Sequence, residues 1–215
     1  PLAMVNAWYI KNPPWKQINT DKNNADKLET NWQALEDRCR TIIGWRMQLI
    51  PYLQAAFARY ARDGMPPFRP FILDYPEDDA LRTLDDAYIV GDRMLVAPMF
   101  AGEEKRSLRL PTGTWHNFWT GAPTDGGQTL DFPATTERIP VFVKAGSVFP
   151  LGGVADSTQS PAANELTVQV YGDGSLSWSP DDRSRPMLRW DAQANRGVAE
   201  LTGTEYKVTA WKHMG

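Results

Sequence analysis

Apolar and polar positions follow two different rules along this chain. From Asp26 to Asp63 the spacing is helical. Leu28, Trp32, Leu35, Cys39 and Ile42 recur at intervals of four, three, four and three, which puts them on one face of a helix. The run continues through Trp45, Leu49, Leu53, Phe57 and Tyr60. Pro51 falls inside it and predicts a kink or a split, because proline removes one backbone donor. Gly64 follows the last periodic residues and suits a left-handed C-terminal cap, with Pro66 and Pro67 beyond it. The face formed by Leu28 to Ile42 is expected to be buried.

From Phe68 the period changes to two. Strands are expected over residues 68–73, 93–100, 107–110, 114–119, 128–132, 139–143 and 147–151. Trp115 and Trp119 lie four apart on one of these, so they should share a face and pack inside the domain, near Phe142. Asp85 and Asp86 open a short connecting segment. Residues 152–164 are small and polar and read as a linker or loop. Clean alternation resumes over 165–171. Asp173-Gly174 predicts a hairpin returning through 175–179, and further strands are expected over 187–191, 196–201 and 206–211. Before the helix, Leu2 to Val5 suits a strand end, and Asn12-Pro13-Pro14-Trp15 excludes a helix interior. The fold class is thus α+β, a helical first quarter followed by antiparallel β structure. One long helix cannot bury its own apolar face, so it must pack on the β part, on another copy or on another part of a larger protein.

Composition narrows the function classes. The chain has 215 residues and a net charge of -3, without a basic stripe to neutralise phosphates, so no nucleic-acid partner is expected. No apolar run is long enough to span a bilayer, so no membrane partner is expected. Cys39 is the only cysteine, which rules out an intrachain disulfide. The residues from Pro1 show no basic n-region or cleavage-site pattern, and no compartment is assigned. His116 and His213 are the only histidines, and no metal-ligand spacing occurs. No phosphate-binding glycine loop or nucleophile elbow appears, so neither a metal nor a cofactor is expected. Nine tryptophans stand out, since indole rings stack on sugars but also fill cores. Three acidic runs, Asp74 with Glu77 to Asp79, Asp85-Asp86 and Asp181-Asp182, read as turn, cap and surface residues, so no catalytic residue is assigned.

Several ordered motifs carry a resemblance. Arg46, Leu49, Pro51, Tyr52 and Leu53 are followed by Gly64, Pro66, Arg69 and Pro70. Asp85-Asp86-Ala87-Tyr88-Ile89-Val90-Gly91 leads to Met94-Leu95-Val96-Ala97-Pro98. Leu110-Pro111-Thr112-Gly113-Thr114-Trp115 runs into Phe118-Trp119-Thr120-Gly121, and Ile139-Pro140-Val141-Phe142-Val143-Lys144-Ala145-Gly146-Ser147 follows. In this order the blocks resemble glycoside hydrolase family 31, the α-glucosidases and α-xylosidases, over its C-terminal portion.

The resemblance implies a division of the chain. Residues 1–67 would be the terminal βα piece of a (β/α)8 barrel. Residues 68–152 would be a proximal antiparallel β-sandwich, and 153–215 the start of a distal β-domain. It implies a parent enzyme that hydrolyses terminal α-linked glucose or xylose through two aspartates that lie upstream of the matched blocks. Asn6 would stand where the family has a sugar-facing histidine, so Asn6 and Trp8 are the implied substrate-binding residues. The implied partners are an α-linked oligosaccharide, the barrel portion of the same protein, and a second copy in a homo-oligomer. The alternative reading is a non-catalytic carbohydrate-binding module. It requires an exposed row among Trp115, Trp119, Trp178, Trp190 and Trp211.

Overall fold

The structure is a computed structural model that describes residues 31–100, 102–134, 138–172, 175–177 and 187–214. Two helices lead, α1 (Trp32–Gln48) and α2 (Ile50–Asp63). They meet at Leu49, and Pro51 sits in the first turn of α2, where its missing N–H costs nothing. Gly64 closes α2 in the left-handed conformation, its N–H donating to the Tyr60 carbonyl.

The β part begins with β1 (Phe68–Arg69), a 3-10 turn over Phe71–Leu73, and the single-turn helix α3 (Asp79–Arg82). It continues with β2 (Tyr88–Val90), β3 (Met94–Val96), β4 (Lys105–Arg109), β5 (Thr114–Asn117), β6 (Pro123–Asp125) and β7 (Thr129–Pro133). Then come β8 (Val141–Lys144), β9 (Ser147–Leu151), β10 (Glu165–Tyr171), β11 (Ser175–Ser177), β12 (Met187–Asp191), β13 (Arg196–Glu200) and β14 (Lys207–His213).

A six-stranded antiparallel sheet, ordered β1-β2-β3-β8-β5-β6, forms the central layer. Its middle strands are apolar without alternation because both of their faces are covered. Leu95 of β3 and Phe142 of β8 enter one core with Trp115, Phe71 and Leu108, against α3 and the β4–β7 ribbon. Met94, Val96, Val141 and Val143 point the other way, to Tyr52, Phe149 and Tyr171. That second core lies under α2 and the sheet β9-β10-β14, in which β14 runs parallel to β10. A third, smaller core of Val148, Leu166, Val168 and Leu188 joins that sheet to β11-β12-β13. The antiparallel β architecture read from the sequence is therefore present.

Several expectations need correction. Residues 71–73 are not strand: Pro70 cannot donate to a ladder, and the Tyr75 N–H turns back to the Phe71 carbonyl at 2.8 Å. Tyr88–Val90 and Pro123–Asp125 are short strands that periodicity misses. The helical turn lies at Asp79–Arg82, before Asp85-Asp86. β11 pairs with β12 and not with β10, so no hairpin joins β10 to β11. Residues 152–164 are anchored, with the Gly152 N–H on the Gln48 carbonyl at 2.8 Å and a 3-10 turn over Pro161–Asn164. β9 and β10, on the two sides of the expected boundary at 152, pair directly.

The helix face is the largest difference. Among the described residues α1 has no buried side chain: Trp32, Leu35 and Cys39 are half-buried and Ile42 is 54% exposed. Leu28 lies outside the described residues. The helix read from the periodicity is present, but the described residues supply little to cover its apolar face.

Candidate functional site

Asn6 and Trp8, the substrate-binding residues implied by resemblance, lie outside the described residues, as do Asp181 and Asp182. Of the other acidic groups in these runs, Asp74, Asp78, Asp79 and Asp86 are committed to neighbours. Asp74 takes a two-pronged hydrogen bond from Arg69 at 2.7 and 2.8 Å. Asp78 caps α3, accepting from the Ala80 N–H at 3.0 Å and the Leu81 N–H at 3.3 Å. Asp79 pairs with Arg82 one turn on. Asp86 accepts from Arg106 Nη1 at 2.6 Å, while Arg106 Nη2 donates to the Asp86 carbonyl, also at 2.6 Å.

A glycosidic general acid needs a carboxyl raised towards neutrality. Here the hydrogen bond from Arg106 holds the Asp86 carboxyl below its usual range. Asp131 is held low by Lys105 and Ser107, and Asp63 by the Met65 N–H and by Arg59 and Arg62. These groups sit in turns and ion pairs. No cluster of His, Cys, Asp and Glu suited to a metal occurs among the described residues.

The Asp86–Arg106 pair gives a pH-dependent expectation. Its folded carboxyl pKa is lowered, so its stabilisation is fully present above the unfolded value of about 3.9 and fades as pH falls through the folded value. Asp86→Asn should cost about 1–2 kcal/mol at pH 7, since the amide oxygen can still accept from Arg106 while the charge is lost. It should also flatten stability against pH in the acid range. Urea unfolding of both chains at pH 7 and pH 3.5 checks this, and a constant gap between them would contradict it.

His116 is buried, with Nδ1–H donating to the Gly121 carbonyl at 3.0 Å and its ring 5.7 Å from Tyr171. It is a packing residue. His213 is exposed beside Trp190.

The tryptophans do not form an exposed row among the described residues. Trp115 is 1% exposed, and its Nε1–H donates to the Pro111 carbonyl at 2.8 Å. It packs near Phe142, as expected. Trp119 does not share its face. β5 ends at Asn117, whose side chain accepts from the Trp119 and Thr120 N–H groups, and this turn carries Trp119 to the opposite core. There Trp119 is half-buried, 4.6 Å from Trp45 of α1, and donates to the Ile139 carbonyl. Trp190 and Trp211 are half-buried, 6.1 Å apart, between the two small sheets. Trp178 lies outside the described residues.

The seam between helices and sheet is the most elaborate polar feature, and it was not anticipated. Tyr52 of α2 is 4% exposed and stacks on Phe149 at 4.1 Å. Its hydroxyl donates to the Val90 carbonyl at 2.7 Å and accepts from the Arg93 N–H at 3.0 Å. Burial pushes its ionisation far above the usual tyrosine range, so it remains a neutral donor. Between those partners Gly91 has φ 57° and lies so close that a β-carbon would fall 2.5 Å from the Tyr52 oxygen. No local pattern announces this: the partners are 38 and 41 positions apart.

Comparison with known proteins gives this geometry a family. Residues 64–149 match the glycosyl hydrolase family 31 C-terminal domain. "Alpha-glucosidase 2" from Bacillus thermoamyloliquefaciens is 37% identical over 127 residues, 59% of this chain and 16% of that protein. "Isomaltosyltransferase" from Sporosarcina globispora is 31% identical over 169 residues, 74% of this chain and 14% of that protein. Among solved structures, the family 31 α-xylosidase from Xanthomonas citri superposes with a TM-score of 0.66 at 29% identity, covering 80% of this chain and 21% of that one. The chain thus spans about one-sixth of the length of these curated relatives.

Proposed function

This chain carries a glycosyl hydrolase family 31 C-terminal domain, and we propose that it is the C-terminal part of a retaining α-glycoside hydrolase acting on terminal α-linked glucose or xylose. In this reading residues 1–67 are the last βα unit of a (β/α)8 barrel. The nucleophile and the acid/base, two carboxyl groups about 5 Å apart, belong to the preceding barrel units. Asn6 and Trp8 would reach the sugar from the C-terminal end of the last barrel strand, where barrel sites are built.

The observation that supports it best is α1. It is a 17-residue helix with an apolar stripe and no buried residue, with Ile42 and Ile43 54% and 48% exposed. Helices in water owe most of their stability to tertiary packing of such a face. In a barrel, that face is covered by neighbouring units. The β-domain's part is then to hold α2 from one side while the barrel closes on the other.

The test is complementation. The chain alone should leave aryl α-glucosides and α-xylosides intact. Co-expressed with the preceding portion of its parent protein, it should co-purify and restore hydrolysis. In that complex Asn6→Ala should raise KM at least several-fold. Hydrolysis by the chain alone, lost in Asp74→Ala or Asp86→Ala, would overturn the proposal.

A further inference from the structure

Arg69 on β1 is almost enclosed, with 2% of its side chain exposed. Asp74 answers its charge through two parallel hydrogen bonds, and Nη1 donates to the Pro66 carbonyl at 3.2 Å. Asp74 thereby already matches the charge of the buried guanidinium, and the set engages three of its five N–H donors. Yet a third group approaches: Asp92 Oδ1 lies 3.4 Å from Arg69 Nη2, and the same oxygen accepts from Arg59 Nη1 on α2. One carboxylate, 46% exposed, therefore spans from the sheet edge to the helix.

Arg59 and Tyr52 are seven residues apart, two turns along one face of α2. Tyr52 bonds Val90 and Arg93, the residues on either side of Gly91 and Asp92. The turn between β2 and β3 is thus gripped twice by one helix face, once through neutral hydrogen bonds and once through charge. The Gly91 N–H fastens the same turn to the Pro67 carbonyl at 2.8 Å.

We propose that this turn is the joint through which the β-domain fixes the direction of α2, with Tyr52 as its permanent anchor and Asp92 as a releasable, salt-sensitive one. Asp92 is not needed to neutralise Arg69. Its contribution is to tie Arg59, and so the second half of α2, to the sheet. The joint rests on the proposed barrel reading only for the claim that α2 belongs to the barrel's edge.

Hydrogen exchange on the whole chain and on its Asp92→Asn variant tests it. Amides 57–63 should exchange several-fold faster in the variant, while those of Leu95, Phe142 and Val143 keep their protection. The unaltered chain in 1 M salt should move in the same direction, because an exposed pair is screened there. Asp92→Glu should restore part of the protection. Equal acceleration in helix and sheet would mean a general loss of stability and would overturn the joint, as would no change at 57–63. Either failure would leave complementation unaffected, since that is read by activity.

Discussion

Gly91→Ala is expected to destabilise the chain by about 2–5 kcal/mol. A left-handed backbone costs a residue with a β-carbon about 1–2 kcal/mol, and forcing atoms into a packed core adds about 1–3. Both apply here. Gly91 has φ 57°, and the added carbon would lie 2.5 Å from the Tyr52 oxygen and 2.7 Å from the adjoining ring carbon. Tyr52 cannot retreat, since its ring stacks on Phe149 and its hydroxyl is bonded on both sides. Gly64→Ala is the matched control: φ is 78° but nothing lies within 4 Å, so only the backbone cost of about 1–2 kcal/mol should appear. Urea unfolding of both variants separates the two contributions. Equal losses would show that the close approach of Gly91 to Tyr52 carries no energy.

Trp115→Ala should cost about 3–5 kcal/mol, near the upper end of large-to-small core changes. The indole is 1% exposed and lies between the central sheet and the β4–β7 ribbon. Its removal leaves a cavity and deprives the Pro111 carbonyl of its donor. Trp119→Ala should cost clearly less, because that ring is half-buried and lies at the edge of the other core. Thermal unfolding of the two variants is the comparison to make. Losses of similar size would mean that the two rings are equally well packed.

The two tryptophans also show where sequence patterns reach their limit. Strand periodicity assumes the strand continues, and the Asn117 turn is a side-chain event that two-residue alternation does not register. The boundaries of β9, β10 and β12 were legible residue for residue, because each is bounded by turn residues and has enough length to show its pattern. So was the break at Pro51, since its chemistry is local. Val90 and Ile89 are buried on opposite faces of a three-residue strand, too short for any period to show. The joint around Gly91 was illegible for another reason. It depends on residues some forty positions apart, and each of them alone is ordinary. The family resemblance, by contrast, was carried by ordered short motifs, and most of these fall within residues 64–149.

The position of β14 bears on how this chain is made. β14 lies beside β10, the Met214 N–H bonds the Val170 carbonyl at 2.8 Å, and Met214 is buried with Tyr52 and Phe149. Its backbone also rests on Gly121, where a β-carbon would fall 3.0 Å from it. The core under α2 therefore includes a residue synthesised more than 150 positions after Tyr52. A ribosome delivers about 5–20 residues per second, so roughly 10–30 seconds pass between the two. Once β8 and β9 have been made, the nascent chain can bring helix and sheet together, but their shared interior stays open on one side until Met214 follows. Contacts so distant in sequence also slow closure itself. The exposed interval, more than the final stability, is where a chaperone would find its substrate.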